Sequence, residues 1–304
     1  MFNDWEAAEL LLSGLDVALT DYAAPAEVLF IDDGSTLPMP ANFARGHFTN
    51  LRSVEILQLR RNLGHQRAIA VGLVFVYGNV PCRAVVVMDA DGEDRPSDIP
   101  ALASKFHEHG ERSIVFAARA KRLEKPLFRV LYHVYRLIHW VITGDQVRVG
   151  NFSIIPFSSV AKLVVVPEIW YHYAAAVIRS RLAFESIPTP RGKRLTGKSK
   201  MNFIALLLHG LSAFFVYGDI VGARLLVGIA LALMLEVVLL ATSIVGLPAY
   251  LAATLGIILL QAIPIALILV FTVIGSRVNI GFLPIRDCPY FVSAVHQVFR
   301  RTDS

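Results

Sequence analysis

Asp89-Ala90-Asp91 sets two carboxylates one residue apart, directly after the apolar run Val85-Val86-Val87-Met88. Paired acids at a strand tip can hold a hard divalent cation, Mg²⁺ or Mn²⁺, bridging diphosphate oxygens and neutralising a departing nucleotide. An isolated triplet of this kind is common and is usually a solvated loop. Here a second acidic group, Asp32-Asp33-Gly34-Ser35, closes the earlier run Glu27-Val28-Leu29-Phe30-Ile31, and that context favours the metal. The Asp32 and Asp33 carboxylates suit hydrogen bonds to a base or ribose, and Gly34 lets backbone approach a ligand closely. An ordinary strand-to-loop turn accounts for the same four residues equally well.

Two basic groups accompany the acids. Arg194-Leu195-Thr196-Gly197-Lys198-Ser199-Lys200 is a loop hinged at Gly197, in which Arg194 and Lys200 can clamp phosphates. A basic patch facing anionic lipid is the simpler reading, and the two are compatible. Arg119, Arg122 and Arg129 form the second group, suited to a lipid phosphate or to a solvated helix face. The nine histidines show no metal-ligand spacing, and neither do the two cysteines, Cys82 and Cys288.

These groups need elements to present them. Helical patterns over Trp5–Leu19, Gln66–Tyr77 and Ile99–His109 alternate with strand-like runs at Glu27–Ile31, Val54–Leu59, Ala84–Met88 and Ser113–Ala117. That alternation predicts a parallel α/β sheet, whose ligands bind beyond the carboxyl ends of the strands. Asn3 or Asp4 is the expected N-cap of the first helix. Leu127 to Ile142 reads as a further helix, stopped at Gly144.

The chain has 304 residues, of which 55% are apolar, and a formal charge of +5. The charge suits a protein that handles anions, phosphates or anionic lipid. Nucleic acid is disfavoured, because the basic residues gather in loops and beside an apolar region. Two cysteines imply a reduced compartment without a disulfide framework. No secretory signal precedes the globular part, which is expected to stay on the side where it is made.

Leu225 to Ser276 contains a single charged residue, Glu236. As helix it would measure about 78 Å at roughly 1.5 Å per residue, against about 30 Å for a bilayer core, so two crossings fit. Gly246-Leu247-Pro248 makes the turn, and Arg224 and Arg277 bracket the pair, which places both outer ends in the cytoplasm. Glu236 is expected to be protonated and bonded to Gln261 across the two helices. Met201–Gly218 is read as a helix lying in the interface, in preference to a third crossing.

Together these residues resemble the family-two, GT-A-type glycosyltransferases, and within them the polyprenyl-phosphate sugar transferases. The matching stretches are Asn3-Asp4, Asp32-Asp33-Gly34-Ser35, Arg61-Asn62-Leu63-Gly64, Met88-Asp89-Ala90-Asp91 and Arg194-x-x-Gly197-x-Ser199-Lys200. The resemblance implies a GT-A (Rossmann-like) α/β domain over 1–200 whose first strand, expected before Asn3, has almost no counterpart here. An interfacial helix (201–222), two transmembrane helices (223–276) and a cytoplasmic tail (277–304) would follow. Asn3, Asp4, Asp32, Asp33, Ala90, Arg122, Gly197 and Ser199 would bind the donor. Glu93 stands in a Gly92-Glu93 pair where the family commonly has Leu-Gln, and is expected to give the metal a third carboxylate. Val149-Gly150-Asn151-Phe152-Ser153 departs from the family's usual acceptor-side pattern, and the Gln-x-x-Arg-Trp motif of processive synthases is absent.

The implied reaction is an inverting transfer from a nucleotide-diphosphate sugar to polyprenyl phosphate at the cytoplasmic face of a bacterial inner membrane. Asp89 and Asp91 would hold the metal, Arg119 and Arg129 would orient the acceptor phosphate, and Arg194 and Lys200 would close over the phosphates. An ionised phosphate acceptor needs no general base. A hydroxyl acceptor would, and Glu168 is the carboxylate to watch, although a helix-start role suits it better. A non-catalytic membrane homologue is the other alternative. The partners expected are the donor, the lipid phosphate and the bilayer, with a homo-oligomer left open.

Overall fold

The computed structural model describes residues 1–20, 22, 26–119, 137–145, 149–197, 211–242 and 281–301, with scattered positions between 246 and 268. The chain divides into two units. Met1–Glu124, Val147–His209 and Leu283–Ser304 form the first; Lys125–Gln146 and Gly210–Phe282 form the second.

In the first unit, helix α1 (Trp5–Ala18) buries Trp5, Ala8, Leu11, Leu12 and Leu15, the single face that a 3.6-residue period brings together. Strands β1 (Ala26–Asp32) and β2 (Leu51–Leu59) pair in parallel, and helix α2 (His65–Asn79) leads on to β3 (Ala84–Val87). Helix α3 (Ile99–Glu108) precedes β4 (Ile114–Arg119). After residue 149 come β5 (Ser153–Pro156), α4 (Phe157–Leu163), α5 (Tyr173–Arg179) and β6 (Phe184–Thr189). The chain's last strand, β7 (Val292–Arg300), lies within the stretch expected to be a cytoplasmic tail.

The strands make two sheets, ordered β1-β2-β7 and β3-β5-β4-β6. The expectation of a purely parallel sheet needs correction. β7 runs antiparallel along β2, and β5 runs antiparallel between β3 and β4. β5 carries only Ser, Ile, Ile and Pro and is buried throughout, as a central strand should be. It fills the space between two strands that run parallel to each other, so it pairs antiparallel with both. The result is a mixed α/β fold.

Residues from both sheets and from α1 and α3, among them Leu12, Phe30, Val54, Leu102, Phe106, Val115 and Ile154, share one apolar cluster. β1 and β3 are the outermost strands of their sheets, and Val28, Ala84, Val86 and Met88 pack on that cluster while only partly buried. Ahead of Asn3, Met1 makes strand-like bonds along β1: its amino group donates to the Ile31 carbonyl at 2.7 Å, and its carbonyl accepts from the Asp33 N–H at 2.8 Å.

In the second unit, residues 137–143 are helical and stop at Gly144, whose φ is +85°. Arg224 closes that helix end by donating to the Val141 carbonyl at 2.8 Å. Helix α6 (Gly218–Thr242) has 25 residues and exposes Leu226, Val227, Leu231 and Leu235. Among the described residues no helix is long and apolar enough to cross a membrane. The side chains of α6 are described without a break only as far as Ala232. The side chain of Glu236, the Leu247-Pro248 turn, much of the second expected crossing and residues 201–210 lie outside the described residues.

Candidate active site

The two acidic motifs stand at the ends of β1 and β3, and each is held by local bonds. Asp33 is tied to backbone: its Oδ1 accepts the Leu63 N–H at 2.7 Å and its Oδ2 the Gly64 N–H at 2.9 Å. Burial pushes its pKa above the ordinary carboxylate range, opposed by these two bonds. Asp33 therefore clamps the loop after β2 to the loop after β1. Gly34, at φ +70°, makes the clamp possible, since a Cβ there would come within 2.6 Å of the Arg61–Asn62 peptide.

Asp32 is 2% exposed, and its Oδ1 accepts the Ser35 N–H at 3.0 Å. Asn3 organises the next turn. Its side-chain oxygen accepts the N–H groups of Thr36 and Leu37 at 2.9 Å each, and its amide donates to the Thr36 hydroxyl. Asp4 occupies the N-cap position of α1 without a side-chain cap bond. Its carboxylate turns instead to Arg194, whose Nη2 lies 3.3 Å from both Asp4 oxygens.

Arg194 links the two halves of the site. Its Nη1 donates to Asp91 Oδ2 at 3.1 Å and its Nε to the Thr196 carbonyl at 3.0 Å. The loop carrying it is pinned to the acidic turn by two backbone bonds, Gly192 N–H to the Glu93 carbonyl and Leu195 N–H to the Asp91 carbonyl, both at 2.8 Å. Leu195 packs so closely on Gly92 that a Cβ at Gly92, where φ is +86°, would overlap it. Asp91 Oδ1 also accepts the Glu93 N–H at 3.0 Å. The guanidinium thus sits between two carboxylates and offsets their charge.

Asp89 donates its N–H to Asp94 Oδ2 at 2.9 Å, and its Oδ1 lies 3.5 Å from His65 Nε2. That histidine contact is not an ion pair. The Tyr173 N–H donates to Gln66 Oε1, so Gln66 Nε2 donates to Asn151 Oδ1, and Asn151 Nδ2 donates to His65 Nε2 at 2.6 Å. His65 Nε2 is therefore an acceptor and the ring is neutral. Desolvation also lowers its pKa, although 48% of the side chain remains exposed, and the hydrogen-bond chain is the stronger reason.

Two hard carboxylates suit a divalent cation. Among the described residues no group of three or more His, Cys, Asp or Glu is placed to hold one. The protein thus offers part of a coordination shell, which fits an ion shared with a substrate diphosphate. The Glu93 carboxylate, expected as a third acidic ligand, is paired with Arg191, with Nε–Oε2 at 2.9 Å.

Asn3, Asp4, Asp32, Asp33, Asp91 and Arg194 are thus joined by bonds within one unit, while Ala90 packs on the core cluster. Gly197 has φ +69°, and a Cβ there would meet nothing within 4 Å. Ser199, Lys200, Arg122, Arg129 and the side chain of Arg119 lie outside the described residues. Glu168 lies in the first turn of a short 3₁₀ helix (Pro167–Trp170) and pairs with Arg179 at 3.4 Å. His65, Gln66 and Arg191 escaped the sequence reading; the position of His65 just after Arg61-Asn62-Leu63-Gly64 was the one signal available.

The family model described as Glycosyl transferase family 2 matches residues 2–163. Among curated proteins, the "uncharacterized glycosyltransferase YkcC" of Bacillus subtilis is 37% identical over 131 residues, 42% of this chain and 38% of that protein. An undecaprenyl-phosphate 4-deoxy-4-formamido-L-arabinose transferase of Yersinia enterocolitica is 30% identical, over 42% of this chain and 37% of its own length. A dodecaprenyl-phosphate galacturonate synthase of Rhizobium johnstonii is 27% identical, over 42% and 37%. The chain thus spans well under two thirds of the length of these relatives.

Proposed function

Because the chain belongs to glycosyl transferase family 2, we propose that it moves a sugar from a nucleotide diphosphate to a polyprenyl phosphate at the cytoplasmic face of a membrane. The names of the Yersinia and Rhizobium relatives support the lipid-phosphate acceptor. The observation that carries the reading is the Arg194 bridge, which joins Asp91, in the turn after β3, to Asp4 at the start of α1, where a donor diphosphate would lie.

Asp89 and Asp91 would hold Mg²⁺ or Mn²⁺, and the ion would neutralise the departing diphosphate. The chain's own residues do the rest by position and charge. Arg194 balances Asp91 and Asp4 in the structure and is within reach of phosphate oxygens arriving there; its fork of donors suits such a partner. Asp33 and Asn3 hold the two loops that border the donor. The nucleophile is a phosphate oxygen, ionised at neutral pH, so no side chain has to remove a proton. Glu168, the base a hydroxyl acceptor would require, is already paired with Arg179. Lys200, Arg119 and Arg129 are proposed to orient the acceptor phosphate.

The apolar segment is proposed to anchor the enzyme as two crossings. The exposed face of α6, with Leu226, Val227, Leu231 and Leu235 each more than half exposed, supports this. β7 supports an even number of crossings, because it returns the chain beyond the apolar segment to the unit that holds Asp89 and Asp91.

The test is Asp91→Asn, which keeps size and removes charge. Transfer should fall by about 10²–10³-fold, the usual cost of losing one preorganised electrostatic contact, while membrane association stays unchanged. Activity within a few-fold of the parent, with Mg²⁺ or Mn²⁺ supplied, would rule out this role.

A further inference from the structure

Where the chain returns from the apolar stretch, the segment from Leu283 to Phe291 packs on α2, and arginines gather there that the mechanism above does not use. Arg60, just after β2, holds the segment: its backbone N–H donates to the Phe291 carbonyl at 2.8 Å and its Nε to the Tyr290 carbonyl at 3.0 Å. Arg61 follows and is exposed. Arg67, on α2, is half-buried, with its guanidinium carbon 5.4 Å from the centre of the Trp170 ring. Trp170 in turn packs on Phe291, ring centroids 5.2 Å apart. We propose, resting on the two-crossing anchor above, that Arg60, Arg61, Arg67 and Tyr290 form a contact surface for an anionic bilayer, taking phospholipid headgroup phosphates.

Charge singles this surface out. Among the described residues none of the three arginines forms an ion pair. The acids of the adjoining elements are already engaged: Asp33 by two backbone N–H groups, Glu168 by Arg179 and Asp287 by Arg286. Desolvation, and then the like charge of Arg61, hold the Arg67 pKa below its ordinary value, yet an arginine stays protonated at neutral pH. An arriving phosphate relieves that repulsion and matches a guanidinium's fork of donors. Tyr290, 75% exposed, adds an amphipathic ring of the kind that settles at headgroup level. Six residues, Arg277 to Phe282, join the apolar stretch to Leu283, and fully extended that link spans at most about 25 Å. A bilayer that holds the stretch is therefore within reach.

The same geometry argues against the acceptor as occupant. His65 meets Asp89, and Arg67 is two residues further along the same helix, about 200° around its axis. Arg67 thus leaves α2 on the side away from the acidic pair, too far round to present an attacking phosphate there.

The full chain in nanodiscs, of phosphatidylcholine alone or mixed equally with phosphatidylglycerol, tests this with phenylglyoxal, an arginine reagent, read residue by residue by mass spectrometry. Arg61 and Arg67 should react about fivefold more slowly in the mixed discs, and high salt should remove the difference. Arg52 lies near the other end of β2, eight residues and about 26 Å before Arg60, and should react equally in both. Equal rates for Arg61 and Arg67 in the two discs, or the same protection of Arg52, would overturn the contact. Equal protection by a trace of polyprenyl phosphate in phosphatidylcholine discs would overturn it too, by giving the surface to the acceptor. A chain that enters no disc would sink the anchor reading, and the contact with it.

Discussion

Asp32 and Asp33 are neighbours with different work. Asp33 spends both oxygens on backbone N–H groups, whereas Asp32 gives one to the Ser35 N–H and lines a cavity. Sequence alone gives both the same nucleotide-binding reading, because hydrogen bonds to Leu63 and Gly64 span 30 residues and leave no local pattern. Asp33→Asn separates the roles. Its amide oxygen can still serve one N–H, but the amide nitrogen would face the other, donor against donor. Stability should drop by about 1–3 kcal/mol, the cost of one buried unsatisfied donor, with the midpoint of chemical unfolding as the measure. An unchanged midpoint would contradict the clamp. The neutral His65 was equally hidden, since its state depends on Asn151 and Tyr173 from distant parts of the chain.

Among the elements, α1, α2, α3 and the first four strands were legible within a few residues, because each carries its own period and its own stop signal. β5 and β7 were not. β5 is only four residues long, and β7 alternates weakly and follows an apolar stretch that dominates any reading of the region. β7 is secured by its ladder with β2 and by Phe299, which meets Phe48 edge-on with ring centroids 5.1 Å apart. Just ahead of it Cys288 is fully buried, and desolvation pushes its thiol up to about 12. Phe299→Ala removes a pair worth about 0.5–1.5 kcal/mol beyond its buried area and should loosen the strand. Cys288 should then react measurably faster with a thiol reagent at neutral pH. Equal labelling rates in parent and variant would show that the strand does not depend on this contact.

At the scale of the whole molecule, the apolar segment and the acidic motifs were the features that sequence disclosed best, since each is contiguous and strongly biased in composition. The pairing of β7 with β2, in the unit that holds the acidic motifs, was not disclosed, because strand pairing over more than 200 residues has no sequence signature. Family membership supports sugar transfer as the proposed chemistry, and the choice of acceptor is the claim on which the rest depends. Membranes containing the full chain should be given radiolabelled UDP-glucose or GDP-mannose with either polyprenyl phosphate or the corresponding polyprenol, with and without chelator. Label should pass to the polyprenyl phosphate alone, and chelation should stop it. Equal or preferential labelling of the polyprenol would contradict the mechanism, because that acceptor needs a base, and Glu168, the carboxylate expected to serve as one, is paired with Arg179.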